Sequence, residues 1–263
     1  MHFYIQTDSG VQPRHFVEMS SRPGELRPSR ISDMRKATER GEIWYPSVTT
    51  ILDVLAKPAL TNWKIDQHLD MAWERIMGES KYEELVKDDY IAEIKRLTEL
   101  KMDVAPAAGS DIHKSIERFA KQEMTKDDPD YRLCHDVFTM ITANAFMDVR
   151  TPLESEIKFV NPLGYGGQVD LSCESWIIDI KSKQFADKFK PGKMAYDEHR
   201  MQLAAYREGL QRSKEHTANV FICLENGAID FHEHSEQDMQ KGWRLFQHAL
   251  GIWQEQNQWR YMQ

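Results

Sequence analysis

The segment Trp176-Ile177-Ile178-Asp179-Ile180-Lys181 decides the fold, because it predicts a core strand that carries two charged side chains. Side chains alternate along a strand, so Asp179 and Lys181 share one face while Ile178 and Ile180 point into the core. An acid and a lysine two residues apart can hold a metal ion and orient or polarise its water. The Asp-x-Lys pattern is also common on exposed strand faces, so by itself it is a weak indication of a site.

Two strands that precede this segment add acidic residues to the same neighbourhood. Residues 155–160 and 167–171 alternate as strands, and Gly164, Gly166 and Gly167 allow tight turning and close approach between them. Three successive strands would then bring together Glu156, Asp170, Asp179 and Lys181. The alternative is a set of acids on exposed strand faces, and the apolar neighbours of Asp179 argue against it.

The predicted elements change in character along the chain. Residues 1–45 are typical of a hairpin or an irregular arm, and predicted helices follow at residues 47–55, 63–77, 81–100, 110–123 (after Pro106 and Gly109) and 132–149. Beyond Pro152 we predict strands at 155–160, 167–171, 175–181, 220–224 and 228–232, and helices at 198–211 and 237–256. We therefore expect an α/β protein with an N-terminal arm and helical region, residues 1–150, and a mixed α/β core, residues 151–263.

The charge of the chain is unevenly distributed. The formal net charge is −8, whereas a nucleic-acid binder needs Lys and Arg to neutralise phosphates. Residues 181–193 nevertheless contain five lysines and one acid, Asp187. This run is either a basic patch that admits nucleic acid at one narrow place or a solvated lysine-rich loop.

The cysteines and the hydropathy restrict the class of protein. Cys134, Cys173 and Cys223 are odd in number and widely spaced, which favours core residues in a reducing compartment over disulfides or a CxxC zinc site. An iron–sulfur cluster normally takes four thiolates, so with three cysteines we expect no such cluster. No segment approaches the roughly 18 to 20 apolar residues that span a bilayer, and the N-terminus lacks the pattern of a secretory signal. We expect a soluble cytoplasmic protein without membrane contact, whether its gene is cellular or carried by a phage.

The ordered motifs resemble those of RecB-type nucleases in the PD-(D/E)XK superfamily. The residues that carry the resemblance are Glu156, Gly166-Gly167-Gln168-Val169-Asp170, Asp179-Ile180-Lys181 and Gln202-x-x-x-Tyr206, preceded by Gly109-Ser110-Asp111-Ile112-His113. Pro46-Ser47-Val48-Thr49-Thr50-Ile51-Leu52, followed by Trp63, is similar to the N-terminal region of mitochondrial genome maintenance exonucleases and related phage exonucleases. The resemblance covers about residues 46–225. It implies a restriction-endonuclease-like α/β core with a mixed central sheet, and a large helical N-terminal elaboration that forms an arch over the site and contributes His113.

The resemblance also implies a role for each matching residue. His113, Asp170 and Asp179 would bind Mg²⁺, or Mn²⁺ in its place, together with the backbone carbonyl of Ile180. Lys181 would position the attacking water and stabilise the transition state. Glu156 would bind the metal through water or orient Lys181. The implied DNA contacts are Gln202, Tyr206, Lys183, Ser47, Thr49 and Thr50.

Structural alternatives exist for several of these residues. His113 and Glu117, four apart on a helix, are also typical of a surface pair. Gln202 and Tyr206 could simply cap the sheet. Thr49 and Thr50 are equally compatible with ordinary first-turn positions of a helix.

Two features outside the motifs also have a functional and a structural interpretation. His232 and His234 alternate on one strand face, as in some zinc sites, but no third ligand is evident nearby. The C-terminal aromatic residues could stack nucleobases, although the helical spacing of the first three favours a core. They are Trp243, Phe246, Trp253, Trp259 and Tyr261. Since the sequence has no GxxxxGK[ST] motif, any ATP-driven motor would be a separate chain.

The activity that the resemblance implies is that of a metal-dependent DNA exonuclease. It would act on free single-stranded ends or flaps in recombination, replication or repair, with DNA and proteins of those processes as partners. One alternative is a structure-specific or restriction-like endonuclease. Another is a non-catalytic DNA-binding accessory protein that retains only the fold.

Overall fold

The chain folds into two compact units. The computed structural model describes residues 1–19, 22–78, 87–145, 153–173, 175–184, 186–211 and 216–259. Residues 1–55 and 113–263 form the larger unit, and residues 56–112 form the smaller one. The expected boundary between residues 150 and 151 therefore does not coincide with the division between these units. Among the described residues, no helix is long and apolar enough to cross a membrane.

The N-terminal segment is built of short strands and two helices. Its elements are β1 (Phe3–Thr7), β2 (Gly10–Pro13), β3 (Phe16–Met19), β4 (Arg22–Pro28), α1 (Ile31–Glu39), β5 (Trp44–Pro46) and α2 (Val48–Leu52). The first two strands form a hairpin, in a region where the sequence predicted a hairpin or an irregular arm, and with β5 they make a three-stranded sheet in the order β2-β1-β5. Strands β3 and β4 form a separate two-stranded ribbon.

Helix α1 was not predicted from the sequence. It exists because Met34 and Ala37 are buried on one face while its other positions are mostly polar. At its start the Asp33 carboxylate accepts the backbone N–H of Arg30, 2.9 Å away. Helix α2 begins as predicted, with the Ser47 hydroxyl accepting the backbone N–H of Thr50 at 3.0 Å.

The central helices differ from the prediction in one respect. They are α3 (Pro58–Gly78), α4 (Lys87–Ala120) and α5 (Tyr131–Asn144). The predicted break at Pro106 and Gly109 is wrong, because α4 continues through both residues. A proline inside a helix removes one hydrogen bond, and a long helix with many good helix formers on both sides tolerates that loss. The predicted helical residues 81–86 and 146–149 lie outside the described part of the chain.

A five-stranded mixed sheet forms the centre of the larger unit. Its elements are β6 (Glu154–Asn161), β7 (Tyr165–Ser172), β8 (Trp176–Lys183), α6 (Asp197–Gly209), β9 (His216–Cys223), β10 (Ile229–His234) and α7 (Glu236–Gln256). The strand order is β10-β9-β8-β7-β6. Strands β8 and β9 are parallel and joined through α6, whereas the other neighbours are antiparallel. The predicted mixed α/β fold is confirmed, with each strand and helix of this region within a few residues of its expected position.

Both faces of β8 are buried. Ile178 and Ile180 are inaccessible to solvent, as predicted. Ile177, on the opposite face, is equally buried and belongs to the core formed with Leu203 of α6 and Phe246 of α7. Asp179 and Lys181 therefore do not lie on an open strand face, since that face is covered by helices.

The other core predictions agree with the structure. Cys134, Cys173 and Cys223 are free and buried. The structural interpretation of the C-terminal aromatic residues is confirmed for Phe246 and Trp253, which are buried, and for Trp243, which packs against the core. Trp259 is buried as well, and Tyr261 lies outside the described residues.

Candidate active site

Strand pairing places five polar residues in one row across the sheet. Asp179 pairs with Asn219 on β9, and Asn219 pairs with His232 on β10. On the other side, the β7–β8 pairs end at Leu171 and Ile178, one residue before Asp170 and Asp179, and the β6–β7 pairs on either side of Glu156 put it level with Asp170. The charge of Asp170 acts on both Glu156 and Asp179. Residues directly opposite on neighbouring strands project to the same face. The row therefore brings the three predicted carboxylates together, as the order of strands along the chain indicated.

The Asp179 carboxylate is saturated with hydrogen bonds. Its side chain is 2% exposed, and its Oδ1 accepts from Lys181 Nζ at 3.1 Å and from Gln202 Nε2 at 3.0 Å. Its Oδ2 accepts from Asn219 Nδ2 at 2.7 Å and lies 2.9 Å from Lys181 Nζ. Burial raises the pKa of Asp179, and the Lys181 ammonium opposes that rise. The buried charge is tolerated because it is paired and fully hydrogen-bonded.

Gln202 connects the acid, the lysine and Tyr206. Its Oε1 accepts from Lys181 Nζ at 3.0 Å, while its Nε2 donates to Asp179 and to the Tyr206 hydroxyl, the latter at 2.7 Å. Turning the amide over would place its oxygen against a carboxylate, so the network fixes its orientation. Gln202 and Tyr206 are both buried and directed into the site rather than toward solvent. The structure thus places them as supports of Asp179 and Lys181.

Asp170 lies between β8 and α4. Its Oδ2 accepts the backbone N–H of Ile180 at 2.7 Å, and its Oδ1 lies 3.6 Å from His113 Nδ1. Burial by itself would lower the pKa of His113, but Asp170 and Asp179 raise it above its ordinary value. The predicted histidine is therefore next to the predicted acid, and the motif that contains it lies within α4.

Glu156 has a strained backbone at its place in the row. Its φ is 56°, in the left-handed region that non-glycine residues seldom occupy. The regular pairs on either side of it continue the ladder, so the irregularity is local to this residue. Burial, followed by repulsion from Asp170 and Glu117, raises the pKa of Glu156 to about 7. Strain and crowded charge at a single residue are typical of functional sites.

Asn219 and His234 support the site, and the sequence did not single them out for this role. Both are buried, and His234 Nε2 lies 2.7 Å from Asn219 Oδ1. Because an amide oxygen only accepts, His234 carries its proton on Nε2. Burial lowers the pKa of His234 to about 4, which keeps the imidazole neutral. The only available sequence signal was a polar residue, Asn219, within the apolar run of β9.

Tyr4 of β1 is a second residue that was missed. Its ring is buried beside Gly166, where an added Cβ would lie 3.0 Å from it. Burial raises the pKa of Tyr4, with further contributions from the charges of Glu156 and Asp170. The sequence offered only the strand alternation around it, which does not predict proximity to residues more than a hundred positions away.

The structure distributes the remaining predicted DNA contacts unevenly. Ser47 and Thr50 are buried, and their hydroxyl oxygens lie 3.0 Å apart. Thr49 is exposed, and Lys183 is partly buried. The backbone of Ser47 bridges to Gly166 of β7, so this segment lies next to the sheet. Of the three hydroxyl residues, only Thr49 is open to solvent.

The site suits a hard divalent cation by the chemistry of its donors. Asp170, Asp179, Glu156 and the Ile180 carbonyl offer oxygen atoms, which Mg²⁺ prefers. A cation would also offset the burial and the repulsion from Asp170 and Glu117 that together raise the Glu156 pKa. Among the described residues, however, no three His, Cys, Asp or Glu side chains are arranged to hold a metal ion. The donor atoms are therefore of the type that Mg²⁺ prefers, while the Asp179 oxygens accept hydrogen bonds from Lys181, Gln202 and Asn219.

No protein-family model matches the sequence, and no curated protein matches it. A presumed exonuclease from Eubacterium rectale is similar in structure, with 14% sequence identity over 59% of this chain and 68% of that one and a TM-score of 0.41. The protein SSO0001 is 19% identical over 73% of this chain and 86% of that one, with a TM-score of 0.32. Likenesses at this level do not establish the family or the activity of the chain.

Proposed function

We propose that the chain is a divalent-metal-dependent nuclease that hydrolyses phosphodiester bonds in DNA. The observation that carries the proposal is the buried contact of Lys181 with Asp179 and Gln202, in a row of three carboxylates. An ion pair in this position is costly to bury and adds little to stability. Its presence beside a strained, half-buried Glu156 is better accounted for by chemistry on an anionic substrate.

Hydrolysis of a phosphodiester needs a hydroxide, stabilisation of the extra negative charge and help for the leaving oxygen. A bound Mg²⁺ would supply Lewis acidity and a water of lowered pKa. Asp170, Asp179 and the Ile180 carbonyl would hold the ion, with His113 and Glu156 beside them. Asp179 would exchange one of its two contacts with Lys181 for the ion, since Lys181 Nζ lies near both of its oxygens. Mn²⁺, which also accepts oxygen and imidazole ligands, would substitute for it.

The other site residues would orient and stabilise. Lys181 Nζ is fixed by two acceptors, so its remaining donor capacity has a defined direction. Burial would lower the pKa of Lys181, but Asp179 and Asp170 raise it, and the side chain stays a cation that stabilises phosphate charge. Gln202, Asn219 and Tyr206 hold this pair in place.

The finer assignment is exonuclease action on free single-stranded ends or flaps, in recombination, replication or repair. It is supported by the resemblance of the ordered motifs to exonucleases of the PD-(D/E)XK superfamily. DNA is accordingly the proposed partner, and proteins of those processes are further candidates.

Digestion of end-labelled linear and circular single-stranded DNA, with Mg²⁺ or with EDTA, tests the proposal. We expect Mg²⁺-dependent loss of the linear strand only. Asp170→Asn should abolish it with the fold retained, because the amide oxygen can still accept the backbone N–H of Ile180 while the negative charge is lost. Asp136→Asn is the matched control, since that carboxylate is 54% exposed on α5. Cutting of circles would replace the exonuclease by an endonuclease, and DNA binding without cleavage would indicate an accessory protein.

A further inference from the structure

The exposed ring of Tyr196 lies next to the candidate site but is not one of the residues that form it. Tyr196 immediately precedes α6, the helix that carries Gln202, and it is 57% exposed. One side of its ring faces Lys183, whose Nζ lies 5.8 Å from the ring centroid. The His199 ring lies 5.4 Å away, tilted by 42°. An exposed aromatic ring beside a cation can stack on a flat group while the cation contacts an anion.

The ring is continuous with the site through β8. Lys183 lies two residues beyond Lys181, on the same face of the strand. The two backbone positions are separated by roughly 7 Å, given the rise of a strand. This separation corresponds to one or two nucleotides of a nucleic-acid strand. A strand with its reacting phosphate at Lys181 would therefore bring a neighbouring nucleotide to Lys183 and Tyr196.

Hydrogen bonds from its backbone hold the segment that leads to Tyr196 in place. The backbone N–H groups of Ala186 and Gly192 donate to the carboxylates of Glu225 and Asp230, at 2.6 Å and 2.9 Å. The backbone N–H of Tyr196 donates to His199 Nδ1 at 3.1 Å. A ring held in advance loses little conformational freedom when a ligand stacks on it.

The charge around the ring favours a polyanion. Lys190 and Lys193 are exposed on the same segment, in a chain whose net charge is −8. Several acids lie nearby as well. Asp197 pairs with Arg200 and Lys241, Glu225 and Asp230 are engaged by the backbone of the segment, and Glu198 opposes the lowering of the Lys183 pKa by burial. A cationic groove with an aromatic platform is the usual arrangement for binding single-stranded nucleic acid. Duplex bases are already stacked, so they are not available to such a ring.

We infer that Tyr196 and Lys183 form a platform for one unpaired nucleobase of the DNA strand and its adjacent phosphate. The inference rests on the proposed nuclease function and adds to it the way in which single strands are selected. Tyr196 stacks on the base, and Lys183 contacts the phosphate. Because every base has a flat face, the platform accepts single strands without regard to sequence.

Anisotropy of labelled DNA in EDTA, where hydrolysis is prevented, tests the platform. Tyr196→Ala should weaken single-strand binding about 5- to 150-fold, while Tyr196→Phe should bind within about twofold of the wild type, since stacking needs the ring. Phe16→Ala is the matched control, because Phe16 is 59% exposed on the separate β3–β4 ribbon. Lys183→Gln should lower the slope of log affinity against log salt by about 0.7.

An abasic scan then locates the base. One abasic position in the oligonucleotide should weaken binding by the wild type, and Tyr196→Ala should be insensitive to that position. The platform is refuted if Tyr196→Ala binds single strands like the wild type, if Tyr196→Phe loses as much, or if duplex binding falls equally. Magnesium-dependent cleavage that persists alongside any of these results leaves the proposed function intact. A wild-type protein that neither binds nor cleaves DNA overturns both.

Discussion

Gly242 of α7 touches the backbone of α6, and an alanine there should push the two helices apart. A Cβ at this position would lie 2.5 Å from the carbonyl oxygen of Arg200 and 2.8 Å from its carbonyl carbon. Backbone cannot swing aside as a flexible side chain can, so the helices must separate by about 0.5 to 0.9 Å. Overpacking of this kind costs about 1–3 kcal/mol, against a helix-propensity gain of about 1 kcal/mol for alanine.

Gly251 of the same helix is the matched control, because nothing lies within 4 Å of a Cβ added there. Gly251→Ala should therefore gain about 1 kcal/mol from helix propensity alone. The two variants should differ by about 1–3 kcal/mol, which corresponds to about 2–12 °C in Tm for a domain of this size. Thermal unfolding followed by circular dichroism measures the difference. If Gly242→Ala is as stable as Gly251→Ala, the close helix contact is not the constraint described.

Gly242→Ala should also perturb the candidate site. Helix α6 carries Gln202, whose bonds to Lys181 and Asp179 are both 3.0 Å long. Hydrogen bonds of this type lose most of their strength beyond about 3.5 Å, so a shift of half an ångström or more would disrupt them. Below its Tm, folded Gly242→Ala should lose DNA hydrolysis although every proposed catalytic group is present. Full activity would show that the site does not depend on the position of α6.

Three further outcomes follow from individual residues. Glu156→Gly should be about 1 kcal/mol more stable than Glu156→Gln in thermal unfolding. Both variants lack the charge, and only glycine adopts the φ of 56° freely. Equal stability of the two variants would exclude backbone strain at this position. His234 has its pKa lowered to about 4 from 6.5, so the stability it contributes is complete above pH 6.5 and falls as the pH decreases toward 4. Between pH 6.5 and about 4.5 the free energy of unfolding should fall by about 2–3 kcal/mol. In urea titrations at several pH values, the free energy of unfolding of His234→Gln should depend less on pH than that of the wild type. An equal pH dependence would contradict a neutral buried imidazole. Ser47→Ala removes the acceptor of the Thr50 N–H and should cost about 1–2 kcal/mol in the same titrations, and an unchanged midpoint would contradict the capping role.

The local patterns of the sequence predicted the core sheet well. Alternation and apolar runs placed β6, β7 and β8 within a few residues, and turn residues such as Gly164, with φ of 90°, marked their ends. These signals are local, because side-chain alternation and turn geometry depend on immediate neighbours. The same local reasoning failed at Pro106 and Gly109, where it predicted a break in α4. Whether a helix survives a proline depends on the summed stability of the whole helix, which one residue does not reveal.

The sequence by itself indicated the side chains of the candidate site and that successive strands would present them on one face. It supplied Glu156, Asp170, Asp179 and Lys181 from residue type and strand alternation. Only the tertiary structure decided how these groups are held. Asn219 and Gln202 bond to Asp179 from 40 and 23 positions away, and such contacts form only when the crossover through α6 brings distant segments together. The burial that raises the Asp179 pKa likewise comes from helices packed over the sheet, and no property of the strand alone specifies it.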